Sequence, residues 1–134
     1  MATGKCLCGA VSYEASGEPI FAGNCYCNDC RRSSGSHVAV MAYPEPALKI
    51  SGAPKEFASK GDSGMNIARG FCANCGSQLY SKSEAMPGVV LLKAGSLDDP
   101  EHYKPAMSIY ASRAPSWDQP PAALPSFPEM PPRG

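Results

Sequence analysis

Seven cysteines fall into three groups along the chain: Cys6 and Cys8, then Cys25, Cys27 and Cys30, then Cys72 and Cys75. Each outer pair is closed by a glycine, as Cys6-Leu7-Cys8-Gly9 and Cys72-Ala73-Asn74-Cys75-Gly76. The middle group runs Cys25-Tyr26-Cys27-Asn28-Asp29-Cys30 and continues Arg31-Arg32-Ser33-Ser34-Gly35. Thiolate is a preferred ligand of Zn²⁺; four ligands close a structural site, and three leave one position open to a reactant. The outer pairs therefore predict a closed Zn²⁺ site made of Cys6, Cys8, Cys72 and Cys75. Gly9 and Gly76 permit the positive φ that curls each turn until backbone N–H groups point at sulfur. Such a clip joins two distant parts of a small domain and contributes directly to its folding.

The middle group predicts a second, open Zn²⁺ site on Cys25, Cys27 and Cys30. Three thiolates leave that site with a net charge of about −1, so the metal is a weak Lewis acid and activates water poorly. It is better suited to gaining a fourth sulfur, an external thiol bound as thiolate. Arg31 and Arg32 beside the group, with Arg69 and Arg113 farther along, supply positive charge for an anionic ligand; Arg31 and Arg32 are the candidate binding pair. Two other readings use the same residues: a second closed zinc site completed by His37, or a redox thiol set. His102, within Asp98-Asp99-Pro100-Glu101-His102, reads as a polar turn residue.

The chain is 134 residues long, enough for one core but not two. Twelve basic and twelve acidic residues cancel, which argues against a chain built to neutralise nucleic-acid phosphates or lie on an anionic membrane. The opening Met1-Ala2-Thr3-Gly4-Lys5 lacks the apolar run of a signal peptide, and no stretch has the length of a membrane span. A cytoplasmic location is the expectation. In that reducing compartment, clustered cysteines are metal ligands or reactive thiols rather than disulfides, and the odd count prevents complete pairing.

The elements that must position these groups are short. A strand is expected to leave the first cysteine pair over residues 8–14, with Val11 and Tyr13 on one face. Cys27 to Ser34 forms a short helix: Asn28 or Asp29 suits its start, the two arginines its last turn and Gly35 its end. Strands are expected over His37 to Tyr43, around Leu48 to Ile50, over Lys55 to Ala58, over Val89 to Ala94 and around Ser108 to Ala111, while Asn66 to Phe71 leads into the second cysteine pair and Gln78 to Ser81 leads out of it. The segment 60–64 reads as an exposed loop. The fold class is mostly β, a sandwich or folded-over sheet with frequent Gly and Pro turns. From Gln119 the composition shifts, and six of residues 119–134 are proline. The expected division is a zinc-binding domain over 1–118 and a Pro-rich tail over 119–134. The tail is extended, packed through Leu124 and Phe127 or loose.

The three cysteine segments, together with Ala94-Gly95-Ser96-Leu97-Asp98-Asp99-Pro100 and the stretch from Ser112 to Trp117, resemble the glutathione-dependent formaldehyde-activating enzyme family, also called the centromere protein V type. The resemblance runs to about Asp118. It implies an Mss4-like fold, a tent-like antiparallel sheet with zinc knuckles and a short helix after the central triplet. It also implies a structural zinc on Cys6, Cys8, Cys72 and Cys75 and a catalytic zinc on Cys25, Cys27 and Cys30. Tyr26 stands where the family usually carries histidine.

The activity implied is a carbon–sulfur lyase reaction that condenses glutathione, or a related thiol, with formaldehyde or another small aldehyde. The alternative is a module without turnover: a zinc-stabilised glutathione or thiol carrier, or a protein-interaction module. The small-molecule thiol and aldehyde are the expected partners, with no nucleic acid and no membrane among them.

Overall fold

The computed structural model describes residues 1–61 and 64–131. Ten strands and one helix follow in order: β1 Ala2–Lys5, β2 Ser12–Ala15, β3 Phe21–Cys25, α1 Asn28–Ser34, β4 Val38–Pro44, β5 Leu48–Ser51, β6 Lys55–Lys60, β7 Asn66–Phe71, β8 Gln78–Ser83, β9 Val89–Lys93 and β10 Met107–Ile109. Short 3₁₀ turns join several of them. No helix among the described residues is long and apolar enough to cross a membrane.

The strands make two sheets. Three form a small sheet in the order β1-β2-β5, and seven form a large one in the order β10-β3-β4-β9-β8-β7-β6. Every strand pair is antiparallel except one: β10 runs parallel to β3, with Ile109 opposite Cys25. The expected antiparallel sheet is thus mixed at this edge. Parallel neighbours need a long crossover, and here most of the chain lies between the two strands.

The main core fills the space between the sheets. Tyr13 from the small sheet packs with Met41, Tyr43, Leu79, Tyr80, Val90 and Leu92 from the large one. Val11 and Tyr13 are both buried, the shared face expected from their spacing. The Tyr13 hydroxyl keeps a partner in Ser96 Oγ at 2.7 Å, as a buried phenol requires. A smaller apolar cluster surrounds the middle cysteines and uses Val38, Val40 and Ile109.

Eight of the ten described strands and the helix overlap the expected segments, β7 and β8 as the lead-in and lead-out of the second cysteine pair, whereas β1 and β3 come from stretches given no strand. β3, Phe-Ala-Gly-Asn-Cys, contains a glycine and an asparagine that read as loop residues. It forms because it lies between β4 and β10, and Gly23 leaves room where the Met107 carbonyl crosses. The expected loop at 60–64 includes positions outside the described residues.

The Pro-rich segment lies along β10. Ser108 donates its N–H to the Pro125 carbonyl at 2.9 Å, and Phe127 returns one to the Ser108 carbonyl at 2.9 Å. Tyr110 N–H donates to the Glu129 carbonyl at 3.1 Å. Leu124 and Phe127 are half-buried against the body.

Candidate functional site

The turn between β1 and β2 carries Cys6 and Cys8, and the turn between β7 and β8 carries Cys72 and Cys75. Both turns have the same construction. Gly9 N–H donates to the Cys6 carbonyl at 3.1 Å and Gly76 N–H to the Cys72 carbonyl at 2.8 Å. Both glycines have positive φ, 81° and 79°. The turns are tied together, since Leu7 N–H donates to Ser77 Oγ at 3.0 Å.

All four sulfurs lie within 4.8 Å of one another. Cys6 Sγ to Cys8 Sγ is 3.7 Å, and Cys8 Sγ to Cys72 Sγ is also 3.7 Å. A tetrahedron with Zn–S bonds of about 2.3 Å has an edge of about 3.8 Å. The spacing therefore fits four thiolates around one ion. Val11 N–H and Asn74 Nδ2 each donate to a cluster sulfur, Cys6 and Cys8 respectively, at 3.3 Å. Hydrogen bonds from Ser77, side chain and then backbone, pull the Cys75 thiol down to about 5.

The middle cysteines meet at the junction of β3 and α1. Cys25 ends β3, Cys27 is the N-cap of α1, and Cys30 lies in its first turn. The cap differs from the expected Asn28 or Asp29: the Cys27 sulfur itself accepts the Cys30 N–H at 3.3 Å. At the other end Gly35 takes φ 101° and donates its N–H to the Arg31 carbonyl. Capping by sulfur puts Cys27 and Cys30 on the same side of the helix start, facing the end of β3.

The three sulfurs also lie within 4.8 Å of one another, with Cys30 Sγ to Cys25 Sγ at 3.3 Å. All three residues are buried. Hydrogen bonds with Cys25 and Cys30 hold the Cys27 thiol well below its ordinary range, with help from the Cys30 N–H and the Arg69 charge. The same contacts push Cys25 upward. Among the described residues no fourth metal-binding side chain joins the trio. His37 is engaged elsewhere: its Nδ1 lies 2.9 Å from Asp118 Oδ1, and its ring stacks on Tyr26.

The trio lines a cavity of about 470 Å³. The cations in its wall are Lys93 and Arg69. Lys93, at the end of β9, is 7% exposed. Burial lowers its pKa, and the nearby Cys30 and Cys25 sulfurs oppose that shift. Arg69, on β7, reaches Asp29 Oδ2 at 4.0 Å and donates to Ser59 Oγ at 3.3 Å, while its Nε is buried without a partner. Arg31 and Arg32 are absent from the lining, because the last turn of α1 carries them away from the capping sulfur. Arg113 bonds Glu129 at 3.2 Å and lies over the Tyr110 ring, at 5.2 Å. His102 is an exposed turn residue beside Asp99. Lys93 escaped the sequence reading because it closes the most apolar run in the chain; a lysine in that run was the available signal.

Residues 1–113 match the family model described as glutathione-dependent formaldehyde-activating enzyme. The chain belongs to that family. A crystal structure of a Rhodobacter sphaeroides protein shares the fold, with 23% sequence identity and a TM-score of 0.57 over 72% of this chain and 87% of the other. No curated protein matches significantly. In this member of the glutathione-dependent formaldehyde-activating enzyme family, all seven cysteines, Arg69 and Lys93 lie inside the matched span. The cavity wall extends beyond that span, to Met130 and Pro131.

Proposed function

We propose that this protein is a zinc-dependent enzyme of the carbon–sulfur lyase type that joins a thiol, glutathione or a relative, to formaldehyde or another small aldehyde as a hemithioacetal. One observation supports the reading above the rest: the first group brings four sulfurs together, while the second brings only three, and these line a cavity. The first donor set fits a structural Zn²⁺ and the second a Zn²⁺ that accepts an outside ligand. When bound at Cys25, Cys27 and Cys30, the ion would supply a soft position that favours the thiolate form of an incoming thiol.

The protein's own groups do the rest. Lys93 and Arg69 offset the negative charge of three sulfurs in a site where burial makes that charge costly. The cavity walls hold the thiol and the aldehyde together, which replaces an encounter in solution with a reaction between neighbours. In the reaction the sulfur–carbon bond forms, the carbonyl π bond opens, and the thiol proton ends on the new hydroxyl oxygen. Buried thiolates of this kind keep their metal best in a reducing compartment, so we place the protein in the cytoplasm.

Exchange NMR of glutathione with formaldehyde tests the reading. The zinc-loaded protein is expected to speed interconversion above the buffer rate, and Cys27→Ser to return it to that rate. Equal rates with protein, variant and buffer, for glutathione and for a hydrophobic thiol alike, would sink the enzymatic reading. Thiol binding with no acceleration would identify a carrier instead.

A further inference from the structure

The cavity is a poor match for glutathione itself. Glutathione carries two carboxylates and an ammonium group, and each needs a partner once taken out of water. Of the two cations in the wall, Lys93 faces the trio's sulfurs, and Arg69 bonds Ser59 and approaches Asp29, which leaves its unpartnered Nε as the one cationic donor in the described wall for two carboxylates. The remaining surface is dominated by Phe21, Ile67, Leu91, Ile109 and Met86, with exposed Ile20 on its outer side. Part of the wall comes from outside the span matched by the family. Met130 and Pro131 follow Glu129, which is held to Tyr110 through its carbonyl and to Arg113 through its carboxylate. The chain thus adds its own apolar surface to the cavity that holds the trio.

We infer that the thiol this cavity accepts is a hydrophobic one, with its sulfur at Cys25, Cys27 and Cys30 and an aliphatic or aromatic body along the apolar wall that the segment around Met130 completes. The inference rests on the reading of the trio as an open thiol-accepting site. Soft sulfur is drawn to the cysteine end, and the apolar body gains by leaving water along the rest. A volume of about 470 Å³ suits a body larger than formaldehyde, within the ordinary range for small-molecule sites.

The test is calorimetric titration of the zinc-loaded full chain with phenylmethanethiol, with glutathione, and with toluene as the match lacking sulfur. Phenylmethanethiol is expected to bind at least ten-fold tighter than either, and to shift the methyl resonances of Met86 and Met130. Met130→Glu, at a residue 40% exposed, should weaken phenylmethanethiol at least ten-fold with an unchanged melting temperature, while Met130→Leu keeps the affinity. Glutathione binding as tightly as phenylmethanethiol overturns the inference and leaves the proposed enzyme intact. Toluene binding as tightly overturns the role of sulfur, and no binding of phenylmethanethiol overturns the whole. Preference for phenylmethanethiol without faster reaction with formaldehyde upholds the inference and removes the enzyme.

Discussion

The ring of Tyr26 stacks on the ring of His37, with centroids 4.9 Å apart and planes inclined by 23°. Tyr26 lies between two of the trio's cysteines and is only 2% exposed. His37 opens the approach to β4, where Asp118 takes its N–H at 2.8 Å and its Nδ1 at 2.9 Å. The pair pins the link between Cys25 and Cys27 to the far end of α1. Removing the ring should cost a buried aromatic and a stacking contact. Tyr26→Ala is expected to lower the unfolding free energy by about 3 kcal/mol, read from the urea midpoint at unchanged slope.

The two cysteine groups should answer differently to mutation. Cys72→Ser breaks the quartet that clips the β1–β2 turn to the β7–β8 turn, and should abolish the cooperative thermal transition. Cys27→Ser should keep a cooperative transition and lower the metal count from two per chain to one. Native mass spectrometry and a melt on each variant check both outcomes.

Acid should empty the trio before the quartet. A metal-bound thiolate competes with protons, so a sulfur with a raised pKa is lost first as pH falls. Both groups hold raised and lowered thiols, so ligand number decides: the trio offers an ion three protein sulfurs and the quartet four. Zinc release followed with a chromogenic chelator should show two steps on acidification, and Cys27→Ser should remove the one at higher pH.

The cavity cations should matter more than the helix arginines. Lys93→Met removes a buried positive charge beside the Cys30 and Cys25 sulfurs, and thiol binding should fall about ten-fold, equivalent to about 1.4 kcal/mol. Arg32→Gln, on the exposed side of the last helical turn, should change binding by less than about two-fold. Titration calorimetry with one thiol across both variants separates them.

Gly70 on β7 lies under the ring of Tyr80, whose hydroxyl reaches over β7 to donate to Glu56 on β6 at 2.6 Å. A β-carbon at position 70 would overlap that ring. Gly70→Ala is expected to destabilise by about 1–3 kcal/mol, since the ring is held at both ends and has little room to give. Chemical denaturation of the variant measures it.

The grouping of the sulfurs was readable in the sequence because ligand spacing is a local property. Two glycine-closed turns and one tight triplet brought the seven cysteines into a quartet and a trio as expected. Strands with clear alternation or apolar runs were equally readable, β9 above all. What escaped depends on distant partners. β3 has the composition of a loop and is a strand because β4 and β10 flank it. Lys93 and Arg69 reach the trio because β9 and β7 lie on either side of β8, an order that no local pattern encodes. Arg31 and Arg32 are close to the trio in sequence, yet the helix turns them aside once Cys27 takes the capping role. The parallel pairing of β10 was also out of reach, because it depends on how the crossover closes.

The proline-bearing segment beside β10 has a further effect on how the protein behaves among its own copies. A sheet edge normally offers a row of unpaired N–H and C=O groups on which a foreign strand can grow. At one side of the seven-stranded sheet, Pro125 and Pro128 interrupt that row, since neither has an N–H to offer. At the opposite side, Lys55 and Lys60 mark the two ends of β6 with solvated charge around the exposed Phe57. The same stretch that completes the cavity wall therefore also shields the sheet from self-templating, so trimming it would expose a sticky margin at high concentration.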